Sequence, residues 1–390
     1  MAGDATTTAA RPGVAPNSPW SPSATGPSSM GGLLRRAFQS LNPDISAIVD
    51  FAGGLYDGTL VKSGDDPGDT GANLQEVEIA FSATVDPYFR ADVYLTIPNL
   101  AGLEVEEAVL TTTSLPGSLQ LKAGMMRTAF GRQNTQHLHV QDLTRRAVLN
   151  ALFLGPDGMR APGAELSWLM PLPVYLLVTG GAYSVGGPEA VGDVLRSFGG
   201  GTRKDFTYLG NLRTFASITD NTSLLLGASF ATGKSARLVD DGSGGSRLLE
   251  PGRSFLYGAD LYLKWQPPNV SETWMMLAWT TELVLRHIPD AHQLEGALYS
   301  QLAWRVDRRW VISLRGEVDG IPSGAAVPRQ YAGAGSITWN LSEFARVRLF
   351  GEARYTPADQ VTHLDVSPGW SSAAFLQLEA SIGAHGAHAY

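Results

Sequence analysis

The sequence predicts an all-β fold, a transmembrane antiparallel β-barrel of about sixteen strands. Apolar and polar residues alternate with a period of two over most of the chain, and long and short connections between these segments follow each other in turn. The composition, with 44 glycines and 17% charged residues, is typical of a sheet with many turns. Because lipid-facing and lumen-facing side chains average out in such a barrel, a mean hydropathy of −0.04 is compatible with membrane-spanning strands.

The first 41 residues differ in composition from the rest of the chain. Residues 1–29 are rich in Pro, Ser and Thr and poor in bulky apolar residues, which predicts a disordered, flexible arm. Residues 31–41 then predict a short amphipathic helix, with an apolar face formed by Leu34, Ala37, Phe38 and Leu41. We therefore predict an arm over residues 1–41 and a barrel over residues 42–390. No signal peptide is visible, so we expect a mature form if the protein is exported.

From Asp44 onward the sequence has the period of a strand. Val77, Ile79 and Phe81 alternate with Glu76 and Glu78, for example, as expected for a strand with one apolar and one polar face. The sixteen predicted strands lie near Ile45–Leu55, Gln75–Val85, Phe89–Ile97, Leu103–Thr112, Leu119–Thr128, Ala164–Met170, Val174–Val185, Phe206–Ile218, Leu224–Thr232, Phe255–Trp265, Thr273–His287, Gln293–Arg305, Trp310–Asp319, Tyr331–Leu341, Phe344–Tyr355 and Phe375–Ala384.

The connections indicate which end of the barrel is which. Outer-membrane barrels pair short periplasmic turns with longer outer loops. Most links after even-numbered strands are short, and most links after odd-numbered strands are long, with Pro98–Gly102 and Pro289–Ala291 as exceptions. The longest link, Gly131–Pro162, is the third outer one, and we predict that it folds into the pore. Four tryptophans at the opposite ends of strands predict an aromatic girdle at the periplasmic interface: Trp265, Trp304, Trp310 and Trp339.

The polar parity of the strands predicts which charges face the lumen. The residues that we expect on the pore wall are Arg90, Lys122, Glu282, Arg286, Arg305, Arg315, Arg346, Arg348, Glu352 and Arg354. The residues that we expect at the constriction are Arg132, His137, His139, Asp142, Arg145 and Arg146. Residues Asp142–Leu152 also have a helical pattern, in which Leu143, Ala147, Val148 and Leu152 would hold the loop against a neighbouring surface. Walls with an excess of arginine would favour anions.

Several short motifs resemble the phosphate-selective porin family of outer-membrane channels. They are Asn42–Ser46, Glu106–Ala108, Ala123–Asn134 and His137, and the resemblance is clearest over residues 42–172. It implies a sixteen-stranded barrel, commonly a homotrimer, whose third outer loop narrows the channel. The sequence departs from the lysine-rich pores of that family, because it has five lysines, of which Lys122 and Lys264 lie on predicted polar faces. We therefore expect a general or differently selective porin.

Other kinds of site are disfavoured. The chain has no cysteine, and its net charge of −8 argues against nucleic-acid binding. No Ser/His/Asp arrangement stands out, so we predict no enzyme. His137 and His139 share a face of an extended segment, but no carboxylate or third histidine follows at matched spacing, so we predict neither a metal site nor a cofactor.

Our leading prediction is an outer-membrane porin that allows passive diffusion of small hydrophilic solutes or ions, with a preference for anions. It would contact outer-membrane lipid and form a homotrimer. The alternative is a barrel that serves as a scaffold or partner-binding subunit of an envelope complex, with residues 1–41 contacting a periplasmic or envelope partner. A soluble β-sandwich lectin is a third reading, and it would need no detergent for extraction.

Overall fold

We analysed a computed structural model of the chain. It describes residues 43–185, 197–199, 204–235, 238–240, 246–248, 252–268, 274–322, 327–358 and 366–383. The chain divides into two units, Met1–Asn42 and Pro43–Tyr390, and the predicted arm and amphipathic helix lie outside the described residues. Among the described residues, no helix is both long and apolar enough to cross a membrane.

Sixteen antiparallel strands close into one barrel, as predicted. Each barrel strand pairs with its neighbours in chain order, and the last strand pairs with the first. A separate two-stranded hairpin, β10–β11, lies in the fifth outer link, where the sequence predicted only a loop. The strands are β1 Asp44–Asp57, β2 Gly71–Thr84, β3 Phe89–Pro98, β4 Glu104–Thr112, β5 Leu119–Arg127, β6 Arg160–Leu169, β7 Tyr175–Tyr183, β8 Thr207–Thr219, β9 Thr222–Ser235, β10 Leu238–Asp240, β11 Ser246–Leu248, β12 Gly252–Trp265, β13 Met276–Ile288, β14 Gln293–Arg305, β15 Trp310–Pro322, β16 Gln330–Asn340, β17 Ala345–Thr356 and β18 Gly369–Gly383.

The alternation sorts the side chains between the two faces of the sheet. Leu349 of β17 lies opposite Ile337 on one neighbouring strand and Leu376 on the other, and all three side chains are about half exposed on the outside. The preceding residue, Arg348, is buried inside the barrel. An apolar outer surface around a polar interior is the surface of a barrel that spans a membrane, since a closed sheet leaves no backbone edge in lipid. The chain is a membrane-spanning β-barrel.

The strands extend beyond their predicted bounds mainly at the outer end. The last strand begins at Gly369, whereas the alternation predicted a start at Phe375. Residues 371–374 read Ser-Ser-Ala-Ala, and such small side chains carry little apolar contrast between the two faces. Their backbone still pairs with β17 in the regular register. The alternation of apolar and polar residues therefore predicts the lipid-facing part of a strand more accurately than it predicts the outer end of the strand.

The aromatic residues lie where the loop pattern predicted. Trp265, Trp304, Trp310 and Trp339 all occupy strand ends on the side of the short turns, and their side chains are exposed on the outer face. The rings of Trp310 and Trp339 stack at 5.9 Å with an interplanar angle of 13°. Tryptophan favours the level of the lipid headgroups, so this row is expected at the periplasmic interface.

The third outer link, residues 128–159, is called L3 below. It contains the helix α1 (Val148–Phe153) and two 3-10 turns, Gln133–Thr135 and Leu138–Val140; further 3-10 turns occur at Pro116–Ser118 and Pro289–Ala291. Most of the L3 side chains are buried, although they belong to a loop. L3 therefore lies inside the barrel, as its position in the chain predicted.

The helix in L3 is shorter than predicted, because residues 142–147 are not helical. The carbonyl oxygens that a helix would use accept hydrogen bonds from the barrel wall instead. The Thr144 carbonyl accepts one from Gln75 Nε2 at 3.1 Å, and the Arg145 and Arg146 carbonyls accept them from Arg315 at 2.9 and 3.1 Å. These contacts satisfy the backbone without a helix.

Apolar side chains hold L3 against two sides of the barrel interior. Val148 and Leu152, with Phe153, pack on inward-facing residues of β8 to β14, such as Leu209 and Val284. On the other side, Leu143 packs against Phe350 and Phe375 of β17 and β18. L3 thus crosses the lumen from one wall to the other.

Candidate functional site: the lumen and the inward loop

L3 enters the lumen at Gly131, which is held against the opposite wall. Gly131 N donates to Ser229 Oγ at 2.9 Å, and the next two backbone N–H groups donate to the Glu282 carboxylate at 3.2 Å each. Gly131 has a φ of +61°, and a Cβ at this position would lie 1.9 Å from Glu282 Oε1. Only glycine allows this approach.

Glu282 therefore has a structural role that the strand parity did not predict. It was predicted as a water-facing residue of the pore wall, and it does point inward. However, it is fully buried and accepts hydrogen bonds from L3 and from the Tyr299 hydroxyl, at 3.2 Å. A carboxylate that is used in this way anchors the loop and does not contact solutes.

Arg145 is the most enclosed of the predicted constriction residues. It donates to Glu352 Oε2 at 2.8 Å and to Asp66 Oδ2 at 3.1 Å, and it donates to the Val61 carbonyl at 2.7 Å. Its side chain is completely buried. Burial raises the pKa of Asp66 to about 6, although the Arg145 guanidinium opposes this rise. The pKa of Arg145 remains above its ordinary value because these carboxylates outweigh the cost of burial.

Arg146 and Arg132 are also buried and have separate partners. Arg146 forms an ion pair with Asp65 and donates to the Gln136 carbonyl at 2.7 Å. The Arg132 guanidinium lies over the Tyr262 ring, 3.9 Å from its centroid. Asp142 is the one predicted constriction residue that is partly exposed, and its Oδ2 accepts a hydrogen bond from Gln301 at 2.9 Å.

The arginines of β17 point inward as predicted, but they contact L3 and its neighbours. Arg346 binds Glu379 and the His139 carbonyl, and Arg348 donates to the Gln141 carbonyl at 2.8 Å. Arg354 pairs with Glu317 at 2.7 Å and with Asp319, within the same buried network as Glu352.

The expectation that all predicted wall residues line water is therefore wrong for six of them. The buried ones are Glu282, Arg286, Arg315, Arg348, Glu352 and Arg354. Four of them form ion pairs within the barrel; for example, Arg286 binds Glu295 at 2.7 Å, and Arg315 lies 2.6 Å from Glu317. Glu282 and Arg348 are held by hydrogen bonds to L3 and to neutral side chains. The physical reason is that L3 fills the space next to them. The four that keep contact with water are Arg90, Lys122, Arg305 and Arg346.

The two histidines of L3 lie beside carboxylates of the barrel wall. His137 Nδ1 lies 3.1 Å from both Glu78 Oε2 and Glu106 Oε2, and its Nε2 lies 3.2 Å from Glu107 Oε1. Burial opposes the charged form of His137, but the carboxylates raise its pKa well above the ordinary value. Burial lowers the pKa of His139, although Glu78 opposes this change. Spacing along the chain showed no carboxylate partner for these histidines, whereas the fold brings Glu78, Glu106 and Glu107 beside them from other strands.

Open space remains on the periplasmic side of L3. A cavity of about 260 Å³ lies between the L3 turn that contains Gln136 and His137 and the inner faces of β3 to β5 and β8. Its lining includes both signs of charge, from Arg90, Asp92, Glu107, Lys122 and Arg213. These residues are the described ones that are best placed to meet a solute inside the barrel.

Sequence reasoning missed the acidic partners of L3. Asp65 and Asp66 belong to the first outer link, and both are buried against the arginines of L3. Glu78 and Glu106 had the parity that points inward, which was the available signal. The contacts of Glu106, Asp66 and Asp65 with L3 join residues 31 to 81 positions apart in the chain, so spacing could not predict them.

Comparisons with known proteins support the same fold. An uncharacterized protein of Aquifex aeolicus is 33% identical over 312 residues, which cover 69% of this chain; the chain spans 62% of that relative's length. No family model matches the chain. The phosphate-selective resemblance therefore remains a prediction.

Among solved structures, similar barrels are found in outer-membrane proteins. The anion-selective porin from Comamonas acidovorans is 11% identical with a TM-score of 0.54, covering 87% of this chain and 99% of its own. OprB from Pseudomonas putida is 11% identical with a TM-score of 0.55, covering 90% and 97%. OmpT of Vibrio cholerae is 9% identical with a TM-score of 0.55, covering 87% and 97%. At these identities the likeness shows the fold, that of porin-like barrels.

Proposed function

We propose that the chain is an outer-membrane porin that lets small hydrophilic solutes or ions diffuse passively, with L3 as the constriction. Support comes from the closed sixteen-stranded barrel, whose lumen carries ionisable side chains from most of the wall. Diffusion pores with charged linings select solutes by size and by field. No catalytic residue is needed for this function.

The proposal includes a preference for anions. Three ion pairs at the water-exposed part of the lumen have the cation more exposed than the carboxylate: Arg90 with Asp92 (51% and 15%), Lys122 with Glu107 (29% and 8%) and Arg346 with Glu379 (22% and 14%). A solute in the lumen would therefore meet the positive member of each pair first. This observation supports anion preference more directly than a count of arginines does.

Planar-bilayer recording of the purified full chain tests both parts. We expect discrete conductance steps. In a potassium chloride gradient, the sign of the reversal potential should show that chloride is more permeant than potassium. The double variant Lys122→Gln with Arg346→Gln should move the reversal potential toward cations, whereas Arg309→Gln, in an exposed periplasmic turn, should not. If the protein inserts into the bilayer but carries no current, the porin proposal is wrong.

Phosphate selectivity and a trimeric state are separate proposals from the family resemblance. One of the similar structures is a trimer form of OmpT from Vibrio cholerae, which supports testing for trimers here. Chemical cross-linking in detergent, followed by mass measurement, should give three copies. Addition of phosphate to the chloride solution should block the current only if the pore binds phosphate more tightly than chloride.

The second candidate function is a scaffold in an envelope complex. One observation favours it: most L3 side chains and the wall residues that contact them are buried, which leaves them little surface for contact with solutes. A barrel without current, together with loss of assembly when residues 1–41 are deleted, would support this alternative. Unchanged conductance and assembly after that deletion would count against it.

A further inference from the structure

A cluster of histidine and glutamate side chains lies where L3 meets strands β2 and β4. Glu78 Oε2 lies 3.1 Å from His137 Nδ1 and 3.3 Å from His139 Nδ1. Glu106 Oε2 lies 3.1 Å from the same His137 nitrogen. Two carboxylate oxygens and one imidazole nitrogen therefore converge from three separate elements of the fold, and His139 lies beside Glu78.

The spacing of these atoms suits a small metal ion. In a tetrahedral site with bonds of about 2.0–2.1 Å, neighbouring ligand atoms lie about 3.3 Å apart. The three N···O separations in the cluster, 3.1, 3.1 and 3.3 Å, are close to that value. The ligand atoms of Glu78, Glu106 and His137 all lie within 4.8 Å of one another.

The groups behind these ligands are arranged as in protein metal sites. His137 Nε2 lies 3.2 Å from Glu107 Oε1, so this nitrogen can donate its hydrogen to Glu107 and leave Nδ1 for an ion. Arg127 Nε donates to the second oxygen of Glu106 at 2.8 Å. Both contacts fix the orientation of a ligand before any ion arrives.

The local charge also favours a divalent cation. Three carboxylates, those of Glu78, Glu106 and Glu107, lie within 3.2 Å of a ring nitrogen of His137. Two cations, Arg127 and Lys122, balance two of them. Glu78 pairs with neither of these cations, and a divalent ion bound next to it would supply positive charge there.

An ion could reach the cluster from the periplasmic side. His137 and Glu107 both line the cavity of about 260 Å³, together with the partly exposed residues Arg90 and Lys122. A metal site needs such a route in addition to its ligands.

We propose that His137, Glu78 and Glu106 bind a divalent transition-metal ion of the Zn²⁺ type. Imidazole with carboxylate is a ligand set for these ions, whereas Ca²⁺ and Mg²⁺ prefer oxygen ligands alone. The bound ion would join L3 to β2 and β4. This role is additional to solute passage, and it does not require that the barrel conducts.

The test uses the full chain without a histidine tag, after treatment with a chelator. Equilibrium dialysis against Zn²⁺ should give one bound ion per chain, and Co²⁺ should produce the visible absorption of a four-coordinate N/O site. His137→Gln and Glu78→Gln should each weaken Zn²⁺ binding by at least about tenfold, and Glu107→Gln by about 10- to 100-fold.

The matched control is His292→Asn. His292 is exposed at the tip of an outer link and has a φ of 50°, which asparagine tolerates, so this variant should bind Zn²⁺ like the wild type. Circular dichroism checks that each variant keeps its sheet. Absence of stoichiometric Zn²⁺ uptake by the wild type would overturn the proposal without any variant. Equal affinity in His137→Gln and His292→Asn would also overturn it. A chain that conducts but binds no Zn²⁺ would leave the porin proposal standing and reject this one.

Discussion

Arg145 joins three parts of the protein through one side chain. It forms ion pairs with Asp66 of the first outer loop and with Glu352 of β17, while its own backbone belongs to L3. Because the guanidinium has no contact with water, removing it would leave two carboxylates buried without their main partner. Breaking a buried pair from one side costs more than the pair itself contributes.

We expect Arg145→Ala to lower the free energy of unfolding by about 3–5 kcal/mol. Guanidinium chloride unfolding in detergent measures this change. Arg90→Ala is the control, because Arg90 also forms an ion pair but has half of its side chain exposed, and its loss should cost less than about 1 kcal/mol. Similar losses for the two variants would show that Arg145 is not buried as described.

Asp66 should make stability depend on pH. Its pKa is about 6, against an ordinary value of 3.8, because burial disfavours the charged form. The folded chain therefore binds the proton more tightly than the unfolded chain, so the contribution of this group to stability is complete below pH 3.8 and is lost as pH rises to about 6. The contribution amounts to at most about 3 kcal/mol.

Asp66→Asn removes this titration. The difference in unfolding free energy between the wild type and Asp66→Asn should fall as pH rises from 4 to 6 and stay constant above that. Asp69→Asn, whose carboxylate is exposed in the same loop, should leave the pH profile of the wild type unchanged. A difference that does not vary with pH would contradict the raised pKa.

At the scale of elements, L3 is held in the lumen largely through its backbone. Arg315 of β15 donates to the carbonyls of Arg145 and Arg146, and Arg348 of β17 donates to the carbonyl of Gln141. These bonds depend on the path of the loop and not on its side chains. The wall arginines therefore set the position of L3, which in turn sets the free cross-section.

The double variant Arg315→Gln with Arg348→Gln should loosen L3, because glutamine is too short to reach the same carbonyls with two donors. We expect larger and noisier single-channel conductance in planar bilayers. Arg309→Gln, in a periplasmic turn, controls for the loss of a positive charge alone. A lower or unchanged conductance of the double variant would argue against L3 as the constriction.

At the scale of the whole molecule, the outer surface determines how the barrel sits in the membrane. Leu349, at mid-strand, is 57% exposed, and Ile382, near the periplasmic end of β18, is 68% exposed. The two side chains are exposed to a similar extent but lie at different depths in the membrane. Substitutions at these two positions can therefore be compared directly.

Leu349→Arg should destabilise the folded barrel in lipid by about 2–4 kcal/mol, because the charge would lie near the bilayer midplane. Ile382→Arg should cost about 0–1 kcal/mol, since a charge near the interface remains hydrated. Unfolding from lipid vesicles measures both values. Equal losses of unfolding free energy at the two positions would mean that Leu349 and Ile382 do not lie at different depths in the bilayer.

The sequence by itself determined the number of strands, the face of nearly every side chain and the order of the connections, because each depends on local alternation and on turn lengths. It also placed L3 in the chain and identified Arg145, Arg146, His137 and His139 as its notable residues.

Only the tertiary structure decided what these side chains contact. Barrel closure brings β1, β2 and β4 to one side of L3, while β15 and β17 contact it from the other side. The spacing of residues along the chain does not indicate which carboxylate will pair with which cation across the lumen. The predicted constriction thereby became a buried network, with the histidines of L3 beside Glu78 and Glu106.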